Sequence, residues 1–355
     1  MKKHNFSAGP SILTQSVLQK ASEAVLDFNN SGLSLIEVSH RGKDFVAVME
    51  NARNLALEHL GLQNKGYQAL FLQGGASLEF LMIPYNLLEK KAAYLNTGTW
   101  ANKAIKEAEI LGEVIEVESS KDLNYNYIPK NYSIPSDADY FHCTSNNTIF
   151  GTQMKSFPKT DVPMVCDMSS DIFSRELDFS QFGLIYAGAQ KNMGPAGTTL
   201  VVVKDEILGK VSRQIPSMLN FKSHIEKESM YNTPSVFAVY VSMLTLEWLK
   251  NIGGISVIEK INNEKAALLY TEIDRNSLFK GHVANNEDRS VMNATFNLTD
   301  ENQKETFDTL LKEAGISGLN GHRSVGGYRA SMYNALPLES VNVLVEVMQE
   351  LERKA

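Results

Sequence analysis

The sequence predicts an α/β protein. Its larger part is a mostly parallel seven-stranded sheet covered by helices, and a smaller α+β unit follows. Three observations carry this reading. Seven short apolar runs occur before residue 204. Helical patterns separate the early runs, as crossovers between parallel strands require. Beyond residue 204 the texture changes to long helices and few strands.

In chain order, the stretch TQSVLQKASEAVLDF (14–28) puts Val17, Leu18, Ala21, Val25 and Phe28 on one helical face. Ala69–Leu72 reads as the first strand. Gly74, Gly75 and Ala76 follow, and Ser77 is expected to cap a helix bearing Leu78, Leu81, Met82 and Tyr85. Ala92–Leu95 is the second strand, after which Thr99 is expected to cap the helix WANKAIKEAEIL, stopped by Gly112. The remaining strands are expected at Val114–Val117, Tyr140–Cys143, Met164–Cys166, Leu184–Ala187 and Thr199–Val203. A helical stretch begins near Ser235, breaks at Gly253-Gly254 and resumes to Arg275. Val291–Leu298 reads as a strand, Thr299 as the cap of a helix over Glu301–Ala314, and Ser340 as the start of a last helix ending near Arg353. This divides the chain into an N-terminal arm (1–15), a large unit (16–255) and a small C-terminal unit (256–355).

The composition is that of an ordinary globular protein, with 43% hydrophobic residues in 355 and a formal net charge of -7. An acidic balance argues against nucleic acid or an anionic membrane as the main partner. Cys143 and Cys166 lie inside apolar runs without CxxC spacing, so two buried free thiols in a reducing compartment are expected. The N-terminus MKKHNFSAGPSIL lacks the apolar core of a signal peptide, and no run approaches the ~20 residues of a membrane span. A soluble cytoplasmic protein is expected.

In open α/β sheets, ligands bind beyond the carboxyl ends of strands, and several chemically capable residues follow strands here. The loop QGGAS after Leu72 joins two glycines to a helix start, which suits a phosphate and equally suits a plain turn. It is neither GxGxxG nor a P-loop. Asp167 ends one strand, as a turn acid or as a carboxylate facing a cation. Lys191 follows another, in the small-residue turn YAGAQKNMGPAG, as a solvated charge or as a nucleophile. Trp100, at a helix start, is core or a flat platform for a planar ligand. Together, a phosphate cradle, a stacking ring, an acid and an amine match what pyridoxal phosphate (PLP) needs. No metal is expected.

The residues then become those of a family. Asn5–Pro10 (NFSAGP), Glu37–Lys43 (EVSHRGK), Tyr186–Asn192 (YAGAQKN) and Gly321–Ser331 (GHRSVGGYRAS) together resemble the phosphoserine aminotransferases, PLP enzymes of fold type I and class V, over nearly the whole chain. The resemblance implies a Schiff-base role for Lys191, a pyridine-nitrogen partner in Asp167 and ring stacking by Trp100. It implies cofactor contacts from Thr148 and Gln190, and a phosphate loop at Ala76 and Ser77. Asn232 and Thr233 would reach the cofactor phosphate from the second subunit of a homodimer. Arg329 resembles the α-carboxylate clamp, and His40, Arg41, His322 and Arg323 the second-anion site. The implied substrates are glutamate and 3-phosphohydroxypyruvate in serine biosynthesis, with a further implied step toward pyridoxine. Some family members carry arginine where this chain has Ser77. The alternative on the same fold is an alanine– or serine–glyoxylate transaminase, whose substrates leave the His/Arg pairs without a second anion to bind.

Overall fold

A computed structural model describes residues 3–323 and 325–355, so that Ser324 of the GHRSVGGYRAS motif lies outside the described residues. Helices α1 (Gln15–Leu26) and α2 (Lys43–His59) precede the sheet. The sheet and its helices then run β1 (Tyr67–Leu72), α3 (Gly75–Leu87), β2 (Lys91–Asn96), α4 (Thr99–Ala108), β3 (Glu113–Ser119), β4 (Phe141–Thr144), β5 (Met164–Asp167), β6 (Leu184–Gly188) and β7 (Thr199–Lys204). The seven strands form one sheet in the order β1-β7-β6-β5-β4-β2-β3. The expected seven strands are all present. Six of them share one direction, and β7 runs antiparallel to both neighbours. The reason is the connection: β7 returns from β6 through a short turn with no crossover helix, which a parallel strand would need.

Alternation along the strands splits the core. Leu70, Leu72, Tyr94, Val165, Tyr186 and Val201 face α3 and α4, whereas Phe71, Leu95, Cys143, Cys166, Ala187 and Leu200 face the opposite layer. That layer includes α2 and α6 (Val236–Asn251). Helix α2 was not anticipated. It buries Phe45, Val48, Met49, Ala52, Leu55 and Ala56 at helical spacing. Cys143 and Cys166 are free, buried and paired across β4 and β5, with their sulfurs 3.7 Å apart.

Four expected helix starts shift. Gly74 and Gly98, not Ser77 and Thr99, occupy the N-cap positions of α3 and α4. Asp300, not Thr299, accepts the capping hydrogen bond, from Asn302 N, at a short turn before α8 (Lys304–Glu313). Helix α9 (Leu338–Lys354) begins two residues before Ser340, behind Pro337. In α1, Leu18 is exposed and Ala24 takes the buried place.

Between α5 (Phe221–Glu226) and the C-terminal sheet, α6 ends near Gly253, and α7 (Ile255–Arg275) starts at once. The second sheet is antiparallel: β8 (Phe279–Gly281), β9 (Asn293–Leu298) and β10 (Tyr328–Ser331), in that order. Its core joins Phe279, Phe296 and Tyr328 to Leu269 of α7, Phe307 of α8 and Leu344 of α9. The N-terminal arm is tied to this unit, His4–Asn5 pairing with Ile316–Ser317 and Phe6 packing in its core. No helix among the described residues is long and apolar enough to cross a membrane.

Candidate active site

The parallel strands β1, β2, β5 and β6 end on the same edge of the sheet, each followed by a loop that carries a candidate residue. Asp167 is the last residue of β5. It is buried, and its carboxylate accepts Ser169 N at 2.9 Å. Burial raises its pKa, while the nearby charge of Lys191 and the Ser169 bonds pull it back. Lys191 lies three residues past β6, half-buried. Burial lowers its pKa, Asp167 opposes that, and Arg329 adds to it. The amine donates to Thr148 Oγ1 at 2.9 Å and stands 6.0 Å from the centroid of the Trp100 ring. Asp167 and Arg329, two of the charges that tune Lys191, are thus themselves candidate site residues; the third is Asp171, in the turn after β5.

The turn carrying Lys191 is held from above by the N-terminal arm. Ser11 N donates to Gln190 O at 2.9 Å, and the Ser11 hydroxyl donates to the Lys191 carbonyl. The Gln190 side chain folds over Gly188, where an added Cβ would meet Oε1 at 2.8 Å. Thr148 is buried in a tight turn between the short paired strands Asn146–Asn147 and Thr152–Gln153.

The N-terminus of α3 is an open cradle. Gly74 has φ 99° and Gly75 φ 69°, a left-handed path that glycine takes without strain. An added Cβ on Gly74 would clash with the Leu78 side chain. No side chain caps this helix end, so its first N–H groups remain available to an anion. Ala76 is half-buried and Ser77 exposed. Asn232 and Thr233, both exposed, sit beside the cradle: Asn232 Nδ2 donates to Gln73 Oε1 at 3.2 Å, and Gln73 Nε2 donates to Thr233 O at 2.8 Å.

Arg329 comes from β10 and so crosses from the second sheet to the first. It is half-buried, and its Nε is enclosed without a partner among the described residues. Burial lowers its pKa. His322 stands in the same field: burial, Arg329, Arg323 and Lys103 all lower its pKa, and no acid is among the causes. His40 and Arg41 lie in the loop before α2, His40 half-buried and Arg41 exposed. No hydrogen bond or ion pair among the described residues ties them to Lys191 or Arg329 within the chain.

Two contributors were not anticipated. Lys103, one turn past Trp100 on α4, holds its amine 4.8 Å from the Trp100 ring centroid. The i, i+3 spacing from Trp100 is the signal that points to it. Tyr333 shares hydrogen bonds with Asn293 and Thr148, and nothing in its neighbouring sequence marks it out.

The donor set fits PLP. A buried carboxylate suits a protonated ring nitrogen, an amine lies within reach of an aromatic face, and an uncapped helix end suits the phosphate. The indole Nε1 of Trp100 and Oγ1 of Thr144, beside Asp167 in the sheet, are enclosed polar atoms without partners among the described residues.

Residues 3–344 match the family model described as aminotransferase class-V. A curated relative from Flavobacterium psychrophilum, named phosphoserine aminotransferase, is 74% identical with both chains covered in full. The solved phosphoserine aminotransferase of Bacillus circulans subsp. alkalophilus is 42% identical, with TM-score 0.96 and 99% of each chain covered. A PLP-bound phosphoserine aminotransferase from Trichomonas vaginalis is 34% identical, with TM-score 0.92 over 98% of this chain and 100% of that one.

Proposed function

Because the chain belongs to the class-V aminotransferase family, we propose that it exchanges an amino group between glutamate and 3-phosphohydroxypyruvate, giving O-phosphoserine and 2-oxoglutarate. The observation that carries this is the Lys191 amine: half-buried, bonded to Thr148 at 2.9 Å, facing Trp100 and electrostatically linked to both Asp167 and Arg329.

Bound PLP supplies an aldehyde for the amine and an electron-withdrawing ring. Asp167 would hold the proton on the ring nitrogen. Lys191, its pKa lowered by burial, would take the substrate Cα proton and return it at C4′. Trp100 would cover one face of the ring, with Thr148 and Gln190 at its edge. The free N–H groups at Gly75, Ala76 and Ser77 would hold the phosphate, joined by Asn232 and Thr233 of a second subunit. Arg329 would fork onto the α-carboxylate. The positive field of Arg323 and Lys103, with the imidazole of His322 as a polar partner and His40 and Arg41 across a dimer, suits a second anion and favours phosphoserine over alanine as amino donor.

Exposed apolar side chains beside two of these segments support the dimer. Leu33 (49% exposed) and Ile36 (66%) flank the His40–Arg41 loop, and Tyr231 (39%) and Phe237 (37%) flank Asn232 and Thr233. Sedimentation of a fully active monomer would contradict shared sites.

The test is the visible spectrum of the PLP-loaded protein. Glutamate should abolish the yellow band, and 3-phosphohydroxypyruvate should restore it. Bleaching without return would reject the acceptor, and a Lys191→Ala variant that turns over without added amine would reject the chemistry.

A further inference from the structure

Lys265 has no part in that reading, yet it is fully buried on α7. Its amine donates to three carbonyls, those of Met332 at 3.0 Å, Tyr333 at 2.8 Å and Leu336 at 3.2 Å. No carboxylate accompanies it among the described residues. Burial alone draws its pKa down to about 7. The three carbonyls match the charged form in number, because only an ammonium offers three hydrogens to three acceptors.

The carbonyls belong to the turn that follows β10, the strand of Arg329. Leu336 N closes this turn on Tyr333 O at 2.9 Å. The turn is also where the two sheets meet. Asn334 N donates to Asn192 Oδ1 at 2.9 Å, one residue from Lys191, and its Nδ2 donates to Phe173 O at 2.9 Å. Asn262, one turn before Lys265, donates to Asn334 Oδ1 at 2.8 Å and to Ser174 O at 3.1 Å. On the other side, the Tyr333 hydroxyl donates to Ala8 O at 2.8 Å and is hydrogen-bonded with Thr148, the partner of Lys191. Residues 332–336 thus form one direct bridge between the strand of Arg329 and the turn of Lys191, beside the routes through the N-terminal arm and through β9 to the Thr148 turn.

We propose that Lys265 is a positioning residue for the transamination site: by clamping the carbonyls of Met332, Tyr333 and Leu336 it sets where the Arg329 guanidinium stands relative to the Lys191 amine. Without the ammonium, the buried carbonyls of Met332 and Leu336 lose this partner and that of Tyr333 keeps only Leu336 N, so the turn must shift to satisfy them. A displacement of about 1 Å at a carboxylate clamp is enough to cost up to ~100-fold in a well-oriented site. The proposal rests on the reading of Arg329 as the α-carboxylate clamp.

The experiment uses full-length, PLP-loaded protein and the non-reacting dicarboxylate maleate, with calorimetric Kd, glutamate KM and kcat, and thermal melting measured together. Lys265→Met is expected to weaken maleate and raise the glutamate KM by about 10-fold, with kcat per bound PLP within about 3-fold. Asn262→Ala keeps the ammonium but frees Asn334. It should move maleate Kd the same way by about 3-fold, and it decides the matter if Lys265→Met does not fold. Arg329→Gln is the control. Earlier melting with wild-type maleate Kd, where Arg329→Gln binds weakly, overturns the clamp alone. Unchanged binding in Arg329→Gln overturns the assignment of Arg329, and the role of Lys265 with it.

Discussion

Replacing Glu79 by glutamine should make this protein more stable at neutral pH. Glu79 lies on α3, one turn beyond the Gly74-Gly75 cradle, and is fully buried. Neither carboxylate oxygen has a partner among the described residues. Burial raises its pKa from 4.5 to about 8. The folded state therefore binds a proton that the unfolded state releases. Stability from this group is complete below pH 4.5 and is lost as pH rises toward about 8. At pH 7 the loss spans about 2.5 pH units, which at about 1.4 kcal/mol per unit is at most ~3.4 kcal/mol. Glutamine keeps the shape and never ionises, but it buries an amide that also lacks partners. The expected gain at pH 7 is thus about 2–3 kcal/mol, shrinking to about zero near pH 4.5. Urea unfolding of wild type and Glu79→Gln, at fixed protein and PLP concentration from pH 5 to 8, measures it. The difference between the two cancels every other titrating group. A difference that does not change with pH, or a variant less stable than wild type throughout, would show that Glu79 is ionised and compensated, and would refute the argument.

Asp167→Asn keeps the shape of a buried side chain but removes the charge that faces Lys191. It should leave folding intact and slow the glutamate-driven loss of the visible band by about 100-fold, the scale of a lost buried charge partner of about 3 kcal/mol; a rate within threefold of wild type would remove Asp167 from the chemistry. Gly151→Ala tests the contact between the Thr148 turn and β9. Gly151 has φ 81°, and an added Cβ would meet Thr295 Oγ1 at 2.5 Å and Asn293 O at 2.9 Å. Overpacking plus a left-handed alanine should cost about 2–4 kcal/mol, read as a lower urea midpoint.

Much of the sheet was legible because strands covered on both faces are unbroken apolar runs, as Ala69–Leu72, Leu184–Ala187 and Thr199–Val203 are, whereas the edge strand Glu113–Ser119 alternates and is only half-buried. Direction is a different matter. The apolar run of β7 looks like any other, and only the length of its connection to β6 distinguishes antiparallel from parallel. Helix α2 was legible in principle, through Phe45, Val48, Met49, Ala52, Leu55 and Ala56. The charges at Lys43, Asp44, Glu50, Arg53 and Glu58 dilute the apolar signal in that window. The site residues that end strands, Asp167 and Lys191, stood out by position. Tyr333 and Lys265 did not, because their roles come from contacts spanning scores of residues, which no local pattern encodes.

The misplaced caps at α3 and α4 carry the clearest lesson. Ser77 and Thr99 are good N-cap residues by type, and a rule that maximises helix stability puts them there. The chain instead places Gly74 and Gly98 at the caps, with no side-chain bond at either end. A serine or threonine cap would satisfy N–H groups from within, at a gain of about 1 kcal/mol, and would withdraw them from any ligand. Both uncapped ends lie where strands β1 and β2 finish, beside the cleft that holds Lys191, Asp167 and Trp100. Most helices among the described residues also lack a side-chain cap, so the open end of α3 is set apart by its left-handed Gly74-Gly75 path, which leaves its first N–H groups free to meet an anion on the proposed reading.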